Sequence, residues 1–510
     1  MKPHCIILYG NNTHPGSKYA GAFRIATELR NNGYDVNCID MTAFSGFDIS
    51  LRLLLSKLIT EKTLWVGFST TFLPDIFGFP MLKQYESYKR RWQGKDIDKG
   101  IRSFKEFVLS INPNTKLIAG GARYFPLEPY GFHIFKSYSD KTIIDYTKWC
   151  ENNDDANSYT DPIIQGSEYQ GFTNSQICYN ESDIIFSDET LPIEISRGCI
   201  FKCKFCTYNL KGKKKGDWVK HSNVLKDELV RNYEMFGVTD YVFADDTYND
   251  SIDKIKLLHD DVFSKLPFKM EFTTYLRLDL MMRYPESAAI LRDSGIKVAM
   301  FGIETLDPMS AKAIGKGVNP HEQFDYLRQI KQNEFKDVIA HSGMIAGLPY
   351  DTEESLLEME EFLLSDKNYL DYFLVNPLGI HPINTNQQIV EHSEFDAEYE
   401  KYGYEIIIDY NADFNNEMKW RNKNTGLTKD WCATYSNRVN RKVHVSGKFK
   451  YGAFLYAQYK SLGVSGEELR TLSTVEISKR YNLVELGKKR LQQYKSRLLA
   501  YYNIPAINNK

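Results

Sequence analysis

The sequence predicts an α/β chain in three parts: an N-terminal doubly wound parallel sheet, a central partial (β/α)6 TIM barrel, and a mostly helical C-terminal region. Three observations carry this. Short apolar strands alternate with amphipathic helices from His4 to Ser137. The alternation resumes at Leu191 after a polar interruption and runs to Asn376. Near residue 390 it stops, and helix formers and aromatics take over. Short buried strands alternating with helices imply parallel sheets. The corresponding boundaries are 1–150, 151–185 as a linker, 186–390 and 391–510.

In the first part, His4–Tyr9 reads as a strand that ends in Gly10-Asn11-Asn12. Lys18–Asn31 places Ala20, Phe23, Ile25, Ala26 and Leu29 on one helical face, with Gly33 closing it. Tyr34–Ile39 is a second strand, Ile49–Leu58 a second helix, Leu64–Ser69 and Lys116–Ala119 further strands, and His133–Ser137 a fifth. Ligands of such sheets bind at the carboxyl ends of strands. Ser69-Thr70-Thr71 and Gly120-Gly121 stand at two such ends, where missing side chains let a nucleotide-like tail approach the backbone.

The middle part offers about six strand–helix units. Leu191–Ser196 is followed at once by a cysteine loop, Asp240–Ala244 by Asp245-Asp246, and Met270–Tyr275 by Leu276-Arg277. Val298–Ile303 leads into Glu304-Thr305, Asp337–Ile345 into Ala346-Gly347-Leu348-Pro349, and Tyr372–Asn376 closes the series. Ala288–Ser294 and Phe324–Gln332 are helical runs between strands. In the C-terminal part, Val439–Lys460 and Glu467–Tyr501 read as helical, and the amphipathic run Glu485–Leu499 is expected to pack on the barrel. Trp420, Arg421, Trp431, Tyr435 and Tyr451 are expected in the core rather than in a pocket.

Bulk properties bound the function. A net charge of −2 over 510 residues gives no global field towards nucleic acid or membrane. No stretch approaches the roughly 20 apolar residues of a membrane span, and the N-terminus is too short and badly flanked for a signal peptide. Cys5, Cys38, Cys150, Cys178 and Cys432 are scattered, as reduced thiols of a cytoplasmic protein would be.

The remaining cysteines carry the chemistry. Cys199, Cys203 and Cys206 form C-x3-C-x2-C, with Phe205 before the last. Thiolates are the usual ligands of iron–sulfur clusters, and three ligands on a cubane leave one iron open to bind and activate a small molecule. A structural zinc site wants four ligands. His221 is the nearest following histidine and keeps a lone fourth ligand open. The run Lys211, Lys213, Lys214 and Lys215 reads as a solvated loop, with a phosphate-bearing substrate as the alternative.

This loop resembles the signature of the radical S-adenosylmethionine (radical SAM) superfamily. The resemblance implies that Cys199, Cys203 and Cys206 ligate a 4Fe–4S cluster. The open iron would hold S-adenosylmethionine, which is cleaved to a 5′-deoxyadenosyl radical, with Phe205 beside the adenine. Asp245 or Asp246 would meet the SAM amino group, Glu304 in the run Gly302-Ile303-Glu304 its ribose or amino group, and Arg277 its carboxylate or a substrate anion. Gly347, in Gly343-Met344-Ile345-Ala346-Gly347-Leu348-Pro349, would lie near the adenine. Taken singly, an Asp-Asp pair is often a helix cap and Gly-Leu-Pro a turn; their common position at strand ends makes the set stronger.

An N-terminal α/β sheet before such a loop is similar to the cobalamin-binding domain of cobalamin-dependent radical SAM proteins. Ser69, Thr70, Gly120 and Gly121 would then contact cobalamin. The D-x-H-x-x-G motif that supplies a cobalt-ligating histidine is broken here, as Asn12-Thr13-His14-Pro15-Gly16, so cobalamin without a protein histidine on cobalt is expected. A flavodoxin-like domain with no cofactor, or another one, is the alternative. The implied activity is a radical SAM C-methyltransferase. The alternatives are a cobalamin-independent epimerase, oxidase or rearrangement enzyme, and a non-enzymatic zinc-stabilised binding protein. Methylthiotransferases would want further cysteines at strand ends, whereas Cys5 and Cys38 fall inside strands. Expected partners are a small-molecule or peptide substrate and an electron donor such as flavodoxin or ferredoxin; membrane and nucleic acid are not expected.

Overall fold

The computed structural model describes residues 2–10, 16–71, 95–121, 127–152, 159–166, 172–208, 210–383, 392–408 and 417–505. The histidine-loop reading at 12–15, His14 included, lies outside them.

The first sheet contains β1 (His4–Tyr9), β2 (Asp35–Asp40), β3 (Thr63–Ser69), β4 (Lys116–Gly120), β5 (Phe132–Lys136) and β6 (Ile163–Gln165). Its order is β2-β1-β3-β4-β5-β6, and every pairing is parallel. Strand alternation sends β1 residues Cys5, Ile7 and Tyr9 to one core, with the helices Ala20–Asn31 and Thr142–Asn152. Ile6 and Leu8 enter the other core, with the helices Ile49–Leu58 and Lys95–Ile111. The order reverses direction between β1 and β3, which is the switch point where doubly wound sheets bind ligands. The segment read as a linker, 151–185, supplies the edge strand β6 and two short 3-10 turns.

The second sheet runs β12-β11-β10-β9-β8-β7 in unbroken sequence order: β7 (Thr190–Ile193), β8 (Asp240–Phe243), β9 (Glu271–Leu276), β10 (Ile296–Glu304), β11 (Ile339–Ala346) and β12 (Tyr372–Pro377). β7 and β12 are its two edges, so the barrel is open. Helices cover its outer face through Leu225, Leu258, Leu291, Leu327 and Met359. Its inner face receives the helix Ala453–Ser461, whose Tyr456 and Tyr459 share a core with Val298 and Ile339.

Beyond residue 390 the chain is mostly helical, but it includes an antiparallel pair, β13 (Tyr404–Ile408) and β14 (Lys419–Asn422). Trp420, Tyr435 and Tyr451 are buried there. One expectation is corrected. The last helix, Leu483–Tyr501, meets the barrel only at its start, where Leu483 and Leu486 pack on the core of Val298 and Ile339; the rest packs on the first sheet's core, where Tyr494, Leu498 and Leu499 join Ile39, Leu51 and Phe104. The Tyr494 hydroxyl accepts from the Asp40 backbone amide at 3.1 Å. Amphipathicity shows that a stripe is buried but not against what; here it covers the end of the edge strand β2 and the turn that follows, through Asp40 and Asp48. No helix among the described residues is long and apolar enough to cross a membrane.

Candidate functional site

The cysteine loop leaves the carboxyl end of β7 and is fastened by its own backbone. Cys199 N–H donates to Leu210 O at 3.2 Å, Gly212 N–H to Cys199 O at 2.8 Å, and Cys206 N–H to Cys203 O at 3.1 Å. Gly198 takes φ +74°, and a Cβ there would lie 2.6 Å from Leu210 Cβ. A larger residue would break that closure. All eight cysteines are free thiols. Burial pushes the Cys199 thiol up, and the Cys206 thiol to about 11. Ligating metal as thiolates therefore requires proton release.

Cationic groups stand ready for that charge. Arg277 Nη1 lies 3.8 Å from Cys203 Sγ, and its guanidinium is 3.8 Å from the Phe201 ring centre and 2.6 Å from Asp279 Oδ2. Lys211 Nζ donates to Cys206 O at 2.8 Å. Among the described residues no three His, Cys, Asp or Glu side chains converge on the position of one ion. A cubane does not ask for that, since each thiolate binds a different iron. A shared loop, a nearby guanidinium and an adjacent open face fit a cluster.

The other strand ends surround the loop. Asp245 is buried at 1% exposure and accepts from Ile195 N–H at 3.2 Å and from the Ser196 hydroxyl, so it ties β8 to β7. Asp246 is raised to about 6, mainly by burial and then by Asp245, against the pull of Lys213. Its carboxylate accepts from the Gly198 backbone, which places it beside the loop. Glu304 ends β10 at φ +73°, a left-handed conformation uncommon for a non-glycine residue and typical of strained functional positions. Lys316 Nζ bridges Glu304 Oε1 at 3.3 Å and Gly302 O at 2.7 Å. Phe205 is half-buried against the main core.

Gly347 is placed differently. It packs against Trp420 and Cys432, its amide donates to Asp351 Oδ2 at 3.0 Å, and its carbonyl accepts from the Tyr404 hydroxyl at 2.7 Å. His221 stands at the N-cap position of the helix Ser222–Phe236 without a side-chain capping bond. The lysine run is not a free loop. Lys211 is bonded as above, and Lys213 is buried 3.9 Å from Asp250. Only Lys215 pairs at the surface, with Asp253. The sequence reading also missed a hydrogen-bonded pair, Tyr208 and Tyr275, beside Asp246 and Glu304.

A cavity of about 430 Å³ opens at the carboxyl ends of β1, β3, β4 and β5. Ser69, Thr71, Gly120 and Gly121 line it, and Gly67 does too, a contact the sequence reading did not single out. Thr70 lies behind it, its hydroxyl on Gly120 O at 3.2 Å. Gly121 has φ +125°, and a Cβ there would sit 2.7 Å from Thr71 N. Glycine thus lets the ends of β3 and β4 close over the cavity floor. The far wall is formed by Asp140, Glu194 and Arg197. Arg197 pairs with Asp140 at 2.6 Å and Glu194 at 2.9 Å, and it stands two residues before Cys199.

Residues 193–363 match the family model described as the Radical SAM superfamily. The matched segment begins at the end of β7 and spans the cysteine loop and the strand ends that carry Asp245, Asp246, Arg277, Glu304 and Gly347. In sequence, the chain is 26% identical over 186 residues to an uncharacterized methyltransferase of Pyrococcus horikoshii, covering 36% of this chain and 38% of that relative.

In structure, it is similar to the radical SAM methyltransferase TsrM of Kitasatospora setae with cobalamin and a [4Fe–4S] cluster bound. The TM-score is 0.57 at 13% identity, covering 98% of this chain and 99% of that one. It is also similar to the cobalamin-dependent S-adenosylmethionine radical enzyme OxsB with aqua-cobalamin bound, with TM-score 0.52 at 15% identity over 78% of this chain and 56% of that one. Together these structural likenesses show the fold: a doubly wound parallel sheet followed by an open parallel barrel.

Proposed function

We propose that this chain is a radical SAM enzyme that also binds cobalamin and methylates a carbon of a small molecule or peptide. The observation that carries the reading is the position of the 430 Å³ cavity, walled on one side by the strand ends of the first sheet and on the other by Glu194 and Arg197, the approach to the cysteine loop. Two cofactors held there would meet at one substrate. When bound, the cluster and cobalamin would supply electron transfer and methyl transfer; the protein supplies position and shielding.

Cys199, Cys203 and Cys206 would hold the cluster, with Arg277 balancing thiolate charge. Asp246 and Glu304 carry the acceptors suited to the ammonium of SAM. Ser69, Thr71, Gly120 and Gly121 would cradle cobalamin. The electron would come from a donor such as flavodoxin or ferredoxin. A cobalamin-independent radical reaction is the second reading, because among the described residues the cavity lining holds no group specific to cobalt.

The test is anaerobic reconstitution with iron, sulfide and hydroxocobalamin, followed by product analysis with methyl-labelled SAM. About one cubane and one corrin per chain, with label transferred to substrate, is expected. Full turnover without corrin would move the assignment to the cobalamin-independent reading.

A further inference from the structure

We propose that the last helix carries a second binding site, for a free phosphate or small phosphate ester, apart from the cofactor cavity. A cavity of about 410 Å³ lies between the helix Leu483–Tyr501, the segment Phe186–Asp188 and Leu462. It shares no lining residue with the cavity of the first sheet.

Leu486, Arg490, Gln493 and Arg497 stack three or four residues apart on one stripe of that helix. The helix satisfies the core with another stripe, through Tyr494 and Leu498. The cavity stripe packs only through Leu486 and the arginine stems, and its polar ends are strongly cationic. Arg490 and Arg497 place their guanidinium groups 4.4 and 4.2 Å from the centre of one ring, Phe186. Ring stacking lowers the cost of a cation there but does not cancel repulsion between two. Lys489 adds a third positive charge to the lining.

Arg490 supplies the decisive detail. Its side chain is 6% exposed. Nη2 donates to Asp188 Oδ2 at 2.6 Å, while Nη1 is buried with no hydrogen-bond partner. A buried donor without an acceptor is costly. Gly16 closes over the stem, since a Cβ there would lie 2.8 Å from Arg490 Cγ, so the guanidinium is held in place. The acids facing it are Asp188, already bonded, and Glu189, which burial pushes up to about 7 and which lies 3.8 Å from Lys18. Three cations against one lining carboxylate leave net positive charge. Planar guanidinium forks match the paired oxygens of a phosphate group.

The test is calorimetric titration of the full-length, cobalamin-free protein with inorganic phosphate, at ionic strength held constant with chloride. One saturable site per chain is expected, weakened by about tenfold or more in Arg490→Gln. If that buried substitution prevents folding, the double variant Lys489→Gln/Arg497→Gln, changed only at exposed positions, should show the same loss. Absence of a saturable signal, or unchanged affinity in the double variant, overturns the proposal. Repeating the titration on cobalamin-loaded protein checks the source: retained binding supports a separate site, and abolished binding overturns it in favour of the cofactor's own phosphodiester.

Discussion

Three cysteines in eight residues made the chemistry legible because a ligand loop is local: its spacing is its geometry. Replacing Cys199, Cys203 or Cys206 by Ala should remove cubane absorbance and SAM cleavage, whereas Cys432→Ala, in the core behind Gly347, should keep its iron. Iron retained in Cys203→Ala would refute the ligand set. The glycine–leucine–proline run was legible as a strand end, but its bonds to Asp351 were not. Its amides at 347 and 348 donate to Asp351 Oδ2, and the Ser310 hydroxyl to Oδ1 at 3.1 Å. Burial raises the Asp351 pKa to about 7. The folded state thus keeps a proton that the unfolded state gives up near the ordinary carboxylate value, and stability from this group falls as pH rises towards 7. Asp351→Asn preserves the neutral acceptor. Between about pH 5.5 and pH 8 the wild type should lose about 2 kcal/mol relative to this variant, read by urea unfolding; parallel pH profiles would disprove it.

At the scale of elements, periodicity located most strands to within a residue or two, because buried parallel strands are short apolar runs bounded by turn residues. β6 escaped because three residues at a sheet edge, alternating exposed and buried, carry almost no pattern. The last helix was recognised, and its partner was not. Its apolar stripe is a statement about burial, while its destination depends on contacts more than 450 positions apart, such as Tyr494 with Asp40. The packing makes a prediction. Leu498 is fully buried in the core of the first sheet, so Leu498→Ala should cost about 2–5 kcal/mol. Hydrogen exchange should then rise first in β2 and in the helix Ile49–Leu58, with the barrel strands protected. Exchange rising first in β10 or β11 would contradict the placement.

At the scale of the whole molecule, the two sheets share one apolar core and also meet through charge. Asp140 follows β5 of the first sheet, Glu194 and Arg197 follow β7 of the second, and all three line the cavity. No sequence pattern announces this, because the Arg197–Asp140 pair spans 57 residues and two domains. Arg24 reaches the same carboxylate at 3.8 Å and also pairs with Glu28 at 3.1 Å. Asp140→Asn is therefore a selective probe: Arg197 keeps both bonds to Glu194, Arg24 keeps Glu28, and no buried cation is stranded. The cysteine loop should stay closed, so iron content should match wild type. What changes is the wall between the cavity and the loop. On the proposed reading, cobalamin uptake should weaken by about fivefold to tenfold, because Arg197 loses one of its two anchors in the cavity wall, measured by corrin absorbance after desalting. Wild-type uptake would mean that the ion pair only holds the domains together, and an equal loss of iron would mean that it shapes the cysteine loop itself.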